Sequence, residues 1–269
     1  MKFDFDALYF NPEHTLDCGQ VFRFTPKDDG YVVYSADKAC FVKSDGIKTQ
    51  VESEDCDYFW RYFDLDRDYK QIVEIAKSYN VPLLSRSAEF CKGMRILNQN
   101  REEMIYSFII SQNNNIPRIK GIINRICAGL GNDMGGYYSF PSSAAIANAD
   151  VSFFKNAGAG YRDIYLAETS KRIAAEGIAH LENLNAAQLK SELLKYKGIG
   201  PKVADCIALF GFGKTDSFPV DTWIEKVYKE DFCGELKDRQ KISDFLVKEF
   251  KEYSGYVQQY LFYGKRLNL

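Results

Sequence analysis

A primary amine, a thiol and a carboxylate stand at spacings that suit nucleophilic chemistry: Lys202, Cys206 and Asp221. Only two histidines are present, His14 and His180, so a histidine-rich metal site is excluded and a Ser-His-Asp triad would need one of those two. The reactive groups reduce to lysine, carboxylate and cysteine. Lys202 falls at the second position of a helix that Pro201 opens. An ammonium there faces the unfavourable end of the helix dipole, which favours the neutral amine. Lysine's ordinary pKa of about 10.4 must fall before the amine attacks, and burial pushes the same way. Cys206 follows at i+4, on the same helix face. Asp221, nineteen residues after Lys202, is the expected N-cap of a helix over 222–232. A carboxylate held there by backbone N–H groups is also well placed to face a developing positive charge. Each residue has a plainer reading as well: a solvated lysine, a small buried thiol, a cap worth about 1 kcal/mol.

The elements that must position them follow from Leu193 to Ile207, which read as helix, glycine turn, helix. Gly198 and Gly200 let the backbone turn sharply and leave no Cβ between the N–H groups and a ligand. Free N–H groups at the start of the second helix, with the dipole behind them, suit a phosphate. A plain αα-corner has the same shape.

Residues 1–52 read as strands over 21–25, 31–35, 39–43 and 47–52, joined by Asp28-Asp29-Gly30 and Ser44-Asp45-Gly46 as an antiparallel meander. From Asp57 the apolar period becomes helical, and beyond Gly93 the chain reads as helix throughout. Helices are expected over 101–112, from Pro117 at N1 to Gly129 or Gly131, briefly after Pro141, over 161–176, from Asn185 to about Tyr196, from Pro201, and twice within 237–266. The fold class is α+β: an N-terminal antiparallel β-domain with small helices (1–92) on an all-helical body (93–269) whose hairpin lies at about 193–210. Gly129-Leu130-Gly131 and Gly211-Phe212-Gly213-Lys214 lack the strand and spacing of nucleotide loops and read as helix ends.

Length 269 with 46% hydrophobic and 27% charged residues describes an ordinary globular chain. No apolar run is long enough for a membrane span, and an intracellular protein is expected. Seven cysteines, never closer than sixteen residues, exclude a CxxC zinc knuckle or clustered iron–sulfur site. The net charge of −2 hides an asymmetry: residues 1–90 hold 11 Lys/Arg against 17 Asp/Glu, the remainder 24 against 20. A local basic surface on the helical part is compatible with that balance, as are solvated helix faces.

The run Gly198-Ile199-Gly200-Pro201-Lys202-Val203-Ala204-Asp205-Cys206, followed by Pro219-Val220-Asp221, resembles the signature of the helix-hairpin-helix, Gly/Pro-rich and aspartate (HhH-GPD) DNA glycosylases. Within that superfamily it is most similar to the 8-oxoguanine DNA glycosylase/AP lyases. Cys18-Gly19-Gln20-Val21-Phe22-Arg23 resembles their base-contacting segment, and Ser111 to Arg118 their triple-asparagine wedge. Gly160-Tyr161-Arg162 and Gly255 to Phe262 are further blocks in the same order, so the likeness covers roughly residues 18–262.

The resemblance implies a base-excision repair enzyme that flips an 8-oxoguanine out of duplex DNA, preferably opposite cytosine. Asn113 would fill the vacated space, Tyr161 wedge the neighbouring step, and Arg118 and Arg162 bind the cytosine's acceptor edge. The Gly19 carbonyl would accept from the N–H that oxidation places on N7, where guanine offers a second acceptor. Gln258 would bind the Watson–Crick edge, with Phe262 and Cys206 sandwiching the ring. Lys202 would add at C1′ with Asp221 stabilising the sugar's charge, and the Schiff base would support β-elimination. Gly198, Gly200 and Lys197 would hold phosphate; no cofactor and no metal are implied. Lys197 stands where these enzymes carry proline, and Trp223 where better-known members carry a phosphate-contacting histidine, which puts that contact in doubt. A prokaryotic, cytoplasmic, nucleoid-associated monomer without membrane partners is expected. The rivals are a glycosylase for another damaged base, such as an alkylated one, and a non-catalytic DNA-binding protein using the hairpin for phosphate alone.

Overall fold

Short Val-, Tyr- and Phe-rich runs separated by Asp/Gly turns form one five-stranded antiparallel sheet, in the order β1-β5-β4-β3-β2. The computed structural model describes residues 1–269. The meander comprises β2 (Phe24–Lys27), β3 (Gly30–Ser35), β4 (Lys38–Ser44) and β5 (Lys48–Ser53). Asp45 sets the last turn by accepting from the N–H groups of Ile47 (2.8 Å) and Lys48 (2.7 Å). Two expectations are corrected. The first strand begins at Phe24: Val21, Phe22 and Arg23 are buried, and Arg23 keeps a single backbone bond to the sheet, its carbonyl accepting from Tyr34 N at 3.0 Å. An additional strand, β1 (Lys2–Asp6), occupies the free edge of β5, with Phe3 opposite Val51.

Helix α1 (Pro12–Asp17), capped by Asn11, was also not expected; it leads directly into Cys18 and Gly19. Helix α2 (Cys56–Tyr62) covers the sheet, where Val33, Val42 and Val51 pack with Phe10, Phe59 and Phe63. The next two helices, α3 (Tyr69–Ser78) and α4 (Pro82–Phe90), belong instead to the larger core of the helical body. The division at residue 92 is therefore one of the chain and not of the core.

Residues 94–100 cross between the parts without regular structure. Arg95, fully buried, anchors the crossing through carbonyls alone: Nε donates to Phe63 O (2.9 Å), Nη1 to Tyr9 O (2.6 Å) and Nη2 to Asp64 O (2.6 Å). Its guanidinium lies 4.1 Å from the Tyr69 ring centre. A second buried charge, Arg23, pairs with Glu103 at 3.3 Å, and the same carboxylate oxygen accepts from Ala36 N at 2.8 Å.

The body continues through α5 (Arg101–Ser111), α6 (Ile116–Leu130), α7 (Ser143–Asn148), α8 (Val151–Asn156), α9 (Asp163–Glu176), α10 (Ala179–Glu182), α11 (Ala186–Leu193), α12 (Pro201–Phe212), α13 (Thr222–Asp231), α14 (Arg239–Phe250) and α15 (Ser254–Arg266). Asn115 caps α6, so Pro117 stands at N2 rather than N1; an N2 amide lacks an intrahelical partner too. Helix α11 stops at Leu193, three residues short of Tyr196, and Asn185 opens it with a full capping box. Residues 203–211 of α12 are buried on every side, as a central helix requires. Gly131 and Gly213 end α6 and α12, as expected of the two glycine-rich runs.

Candidate active site

The turn between α11 and α12 is built by its glycines. Gly198 has φ +81°, and a Cβ on it would lie 2.3 Å from Tyr165 Cγ, so glycine is required twice over. Gly200 is the N-cap of α12, has no side-chain cap, and would point a Cβ into open space. Neither the Gly198 nor the Gly200 N–H has an acceptor within the protein, which leaves them free at a helix N-terminus. Lys197 is exposed beside them, and its carbonyl accepts from Thr169 Oγ1 at 3.0 Å. Behind the turn, the buried pair Lys190–Asp205 (2.7 Å) ties α11 to α12. Burial pushes the Asp205 carboxyl up to about 6, against the pull of Lys190.

One turn along α12, Lys202 and Cys206 enter a small cavity of about 50 Å³. Its other walls are Cys18 and Gly19 from the segment after α1, Phe108 of α5, Phe210, Pro219 and Asp221, and Gln258, Gln259 and Phe262 of α15. Residues scattered over 245 positions of sequence thus share one pocket. Asp221 caps α13, its Oδ1 accepting from Trp223 N (3.0 Å) and Ile224 N (2.9 Å), while its charge acts on Lys202. Trp223 is exposed just beyond it. Gly19 has φ +85° and its carbonyl has no donor within the protein. Gln258 is buried, and its Oε1 has no hydrogen-bond partner. An unpaired buried acceptor costs about 1–3 kcal/mol and marks a place where a donor is awaited. Gln259, which the sequence did not single out, donates to Cys18 O at 2.8 Å and so fixes the Gly19 segment against α15.

The charge state of Lys202, which the sequence leaves open, is set by its neighbours. Its pKa is raised, chiefly by a negative Cys206 with help from Asp221 and Asp205, and burial opposes this without prevailing. Cys206 is itself raised, because burial disfavours the thiolate more than Lys202 favours it. Cys206 is a thiol at neutral pH, and once it ionises its charge holds the proton on Lys202. With its pKa raised, Lys202 is an ammonium at neutral pH.

The wedge candidates lie on the loop between α5 and α6 and on the turn before α9. Asn113 is exposed with φ +44°, a strained value that the loop sustains. Tyr161 is 52% exposed, stands over the Arg162 guanidinium at 4.3 Å, and directs its hydroxyl to Gln112 O at 3.4 Å. Arg118 is exposed, with one bond from Nη2 to Gly158 O (3.3 Å), and has donors to spare. Arg162 differs from expectation: it is buried, and Nε and Nη2 donate to Gln112 O, Nη2 to Asn113 O (3.0 Å) and Nη1 to Ala159 O (2.9 Å). In the free protein it is a strut for the wedge loop rather than an open cytosine donor. The bonds to Gln112 and Asn113 span 50 and 49 residues, so no local signal in the sequence could reveal them.

No three His, Cys, Asp or Glu side chains converge as a metal-holding group, and no helix is long and apolar enough to cross a membrane. Residues 2–105 match the 8-oxoguanine DNA glycosylase N-terminal domain, and residues 106–252 match the HhH-GPD superfamily of base excision DNA repair proteins. A probable N-glycosylase/DNA lyase of Methanothermobacter thermautotrophicus is 31% identical over 225 residues, which are 74% of this chain and 71% of the relative. An N-glycosylase/DNA lyase of Saccharomyces cerevisiae is 32% identical over 197 residues, 65% of this chain and 51% of the yeast protein. The crystal structure of a Clostridium acetobutylicum 8-oxoguanine glycosylase/lyase, bound to duplex DNA with cytosine opposite 8-oxoguanine, superposes with a TM-score of 0.91. It is 36% identical, over 97% of this chain and 93% of that one.

Proposed function

We propose, from the premise that this chain belongs to the HhH-GPD superfamily of base excision DNA repair proteins, that it is a bifunctional DNA glycosylase/AP lyase. Its substrate is 8-oxoguanine, preferably opposite cytosine, in duplex DNA. The observation that carries the reading is the pocket itself: an amine and a carboxylate line it together with Gln258, whose Oε1 is unpaired, and Gly19, whose carbonyl is unpaired. A non-catalytic phosphate-binding hairpin needs none of these four.

Asn113 and Tyr161 occupy the space left by the flipped nucleotide, and Arg118 supplies donors to the estranged cytosine while Arg162 holds the loop. Inside the pocket the N7–H of the lesion donates to Gly19 O, and Gln258 pairs with the Watson–Crick edge. Guanine would set its N7 acceptor against that carbonyl, at a cost of about 1–3 kcal/mol, which supplies part of the selectivity. The ring lies between Cys206 and Phe262. Lys202 sheds its proton and forms a bond to C1′ as the bond to the base nitrogen breaks; the leaving base is protonated, and Asp221 stabilises the positive charge that grows on the sugar. Ring opening gives the Schiff base. Loss of a C2′ proton then expels the 3′ phosphate, and water returns the lysine. The free Gly198 and Gly200 N–H groups and Lys197 hold the backbone phosphate without regard to sequence. Hairpin and pocket are complete within one chain, which supports action as a monomer.

Borohydride trapping on a duplex with one 8-oxoguanine opposite cytosine tests this. A covalent adduct that is absent on undamaged duplex and absent in Lys202→Gln is expected. Free base without an adduct would replace the Schiff base by water attack, and neither base nor adduct would overturn the reading.

A further inference from the structure

The closed pocket is too small for the base assigned to it. A cavity of about 150 Å³ takes up benzene, whereas this one measures about 50 Å³. A wall must move, and the walls are not equally free. Cys18, Cys206, Phe108, Phe210, Gln258 and Gln259 are buried in the core. Phe262 is the one large apolar side chain of the lining that is only half-buried. Its Cε1 would lie 3.4 Å from a Cβ on Gly19, so it closes the pocket on the side of the base-contacting segment.

One turn further along α15, the Arg266 guanidinium lies 5.6 Å from the Phe262 ring centre, and Nη1 donates to Asp17 O at 3.1 Å. Arg266 therefore spans from α15 to the strand of chain just before Gly19, with the ring beneath it. We propose that Arg266 is a positioning residue, a latch that holds Phe262 over the base pocket until a flipped base displaces it. The proposal rests on the reading that this pocket receives a base. The opening free energy lowers the apparent affinity for every base alike, since the competent state is only a fraction of the free protein. The latch sets the threshold for entry, and Gly19 and Gln258 set the choice.

Two measurements on Arg266→Ala test it. Cys206 is buried and lines the pocket that Phe262 closes, so its labelling by a small thiol reagent in the free protein, followed site by site with mass spectrometry, should speed up about fivefold. Cys127, buried in the same core but away from the pocket, is the control. In single-turnover base release with enzyme in excess, the half-saturating enzyme concentration should fall by a similar factor with the limiting rate unchanged. Unchanged Cys206 labelling, or equal acceleration of Cys127, overturns the latch, as does a rise in the half-saturating concentration, which would assign the arginine to bound DNA. The labelling arm needs no substrate. A wild-type protein that releases no 8-oxoguanine would refute the proposed function and leave this arm standing.

Discussion

Replacing Gln258 by methionine should make the protein more stable and less active. Gln258 is 5% exposed on α15, and its Oε1 has no partner in the free protein. Folding strips that oxygen of water without replacing the bond, at a cost of about 1–3 kcal/mol. Methionine has nearly the same length, no polar end, and the freedom to settle in an irregular space. A gain of about 1–2 kcal/mol follows, or a Tm increase of about 3–6 °C for a chain of this size. In the complex the balance reverses, because the lesion's Watson–Crick edge would be buried against a thioether. Two unmade hydrogen bonds at about 1 kcal/mol or more each lower kcat/KM by about 10- to 100-fold. Thermal unfolding and single-turnover base release on the same preparations measure both sides. A variant with a lower Tm, or one as active as wild type, would show that the orphan oxygen is not held in reserve for substrate, and the reasoning would fail.

Asp221→Asn retains the cap, since asparagine caps helices about as well as aspartate, so Tm should move by less than about 1 kcal/mol equivalent. The rate of base release should fall about 100- to 1,000-fold with the loss of the charge facing the sugar; comparable losses in both would mean that Asp221 only caps. The raised pKa of Lys202 means that the neutral amine grows with pH, so single-turnover trapping should climb by roughly tenfold per unit through neutral to alkaline pH. In Cys206→Ala the largest cause of that shift is gone, and the climb should level off at lower pH; an unmoved profile would separate the thiol from the titration of Lys202.

The hairpin, Lys202, Cys206 and Asp221 were legible in the sequence because they are close together along it and obey local rules for turns, caps and helix faces. The last turn of the meander and the start of α11 were legible for the same reason, as Asp45 and Asn185 show. What escaped depends on contacts between distant residues. The residues of β1 alternate well enough, yet only the open edge of β5 makes them a strand. Val21 to Arg23 have strand-like composition, but the core and Glu103 claim them. Arg162 has the same identity whether it faces solvent or the carbonyls of Gln112 and Asn113. The charge of Lys202 stayed open because the enclosure that brings it against Cys206 and Asp221 is formed by contacts no local rule shows.

The bond from Gln259 to Cys18 O joins residues 241 positions apart and closes the pocket between them. During synthesis the hairpin, Lys202 and Asp221 all emerge before α15 does. A nascent or prematurely terminated chain therefore has Lys202, Asp221 and the glycine turn in its sequence, but lacks Gln258, Phe262 and the brace behind Gly19. Such a chain lacks both the α15 wall of the pocket and the part of the core that Val257, Tyr260 and Leu261 fill. Under the proposed function, the order of the chain thus completes the base-choosing wall last, and no pocket exists before it.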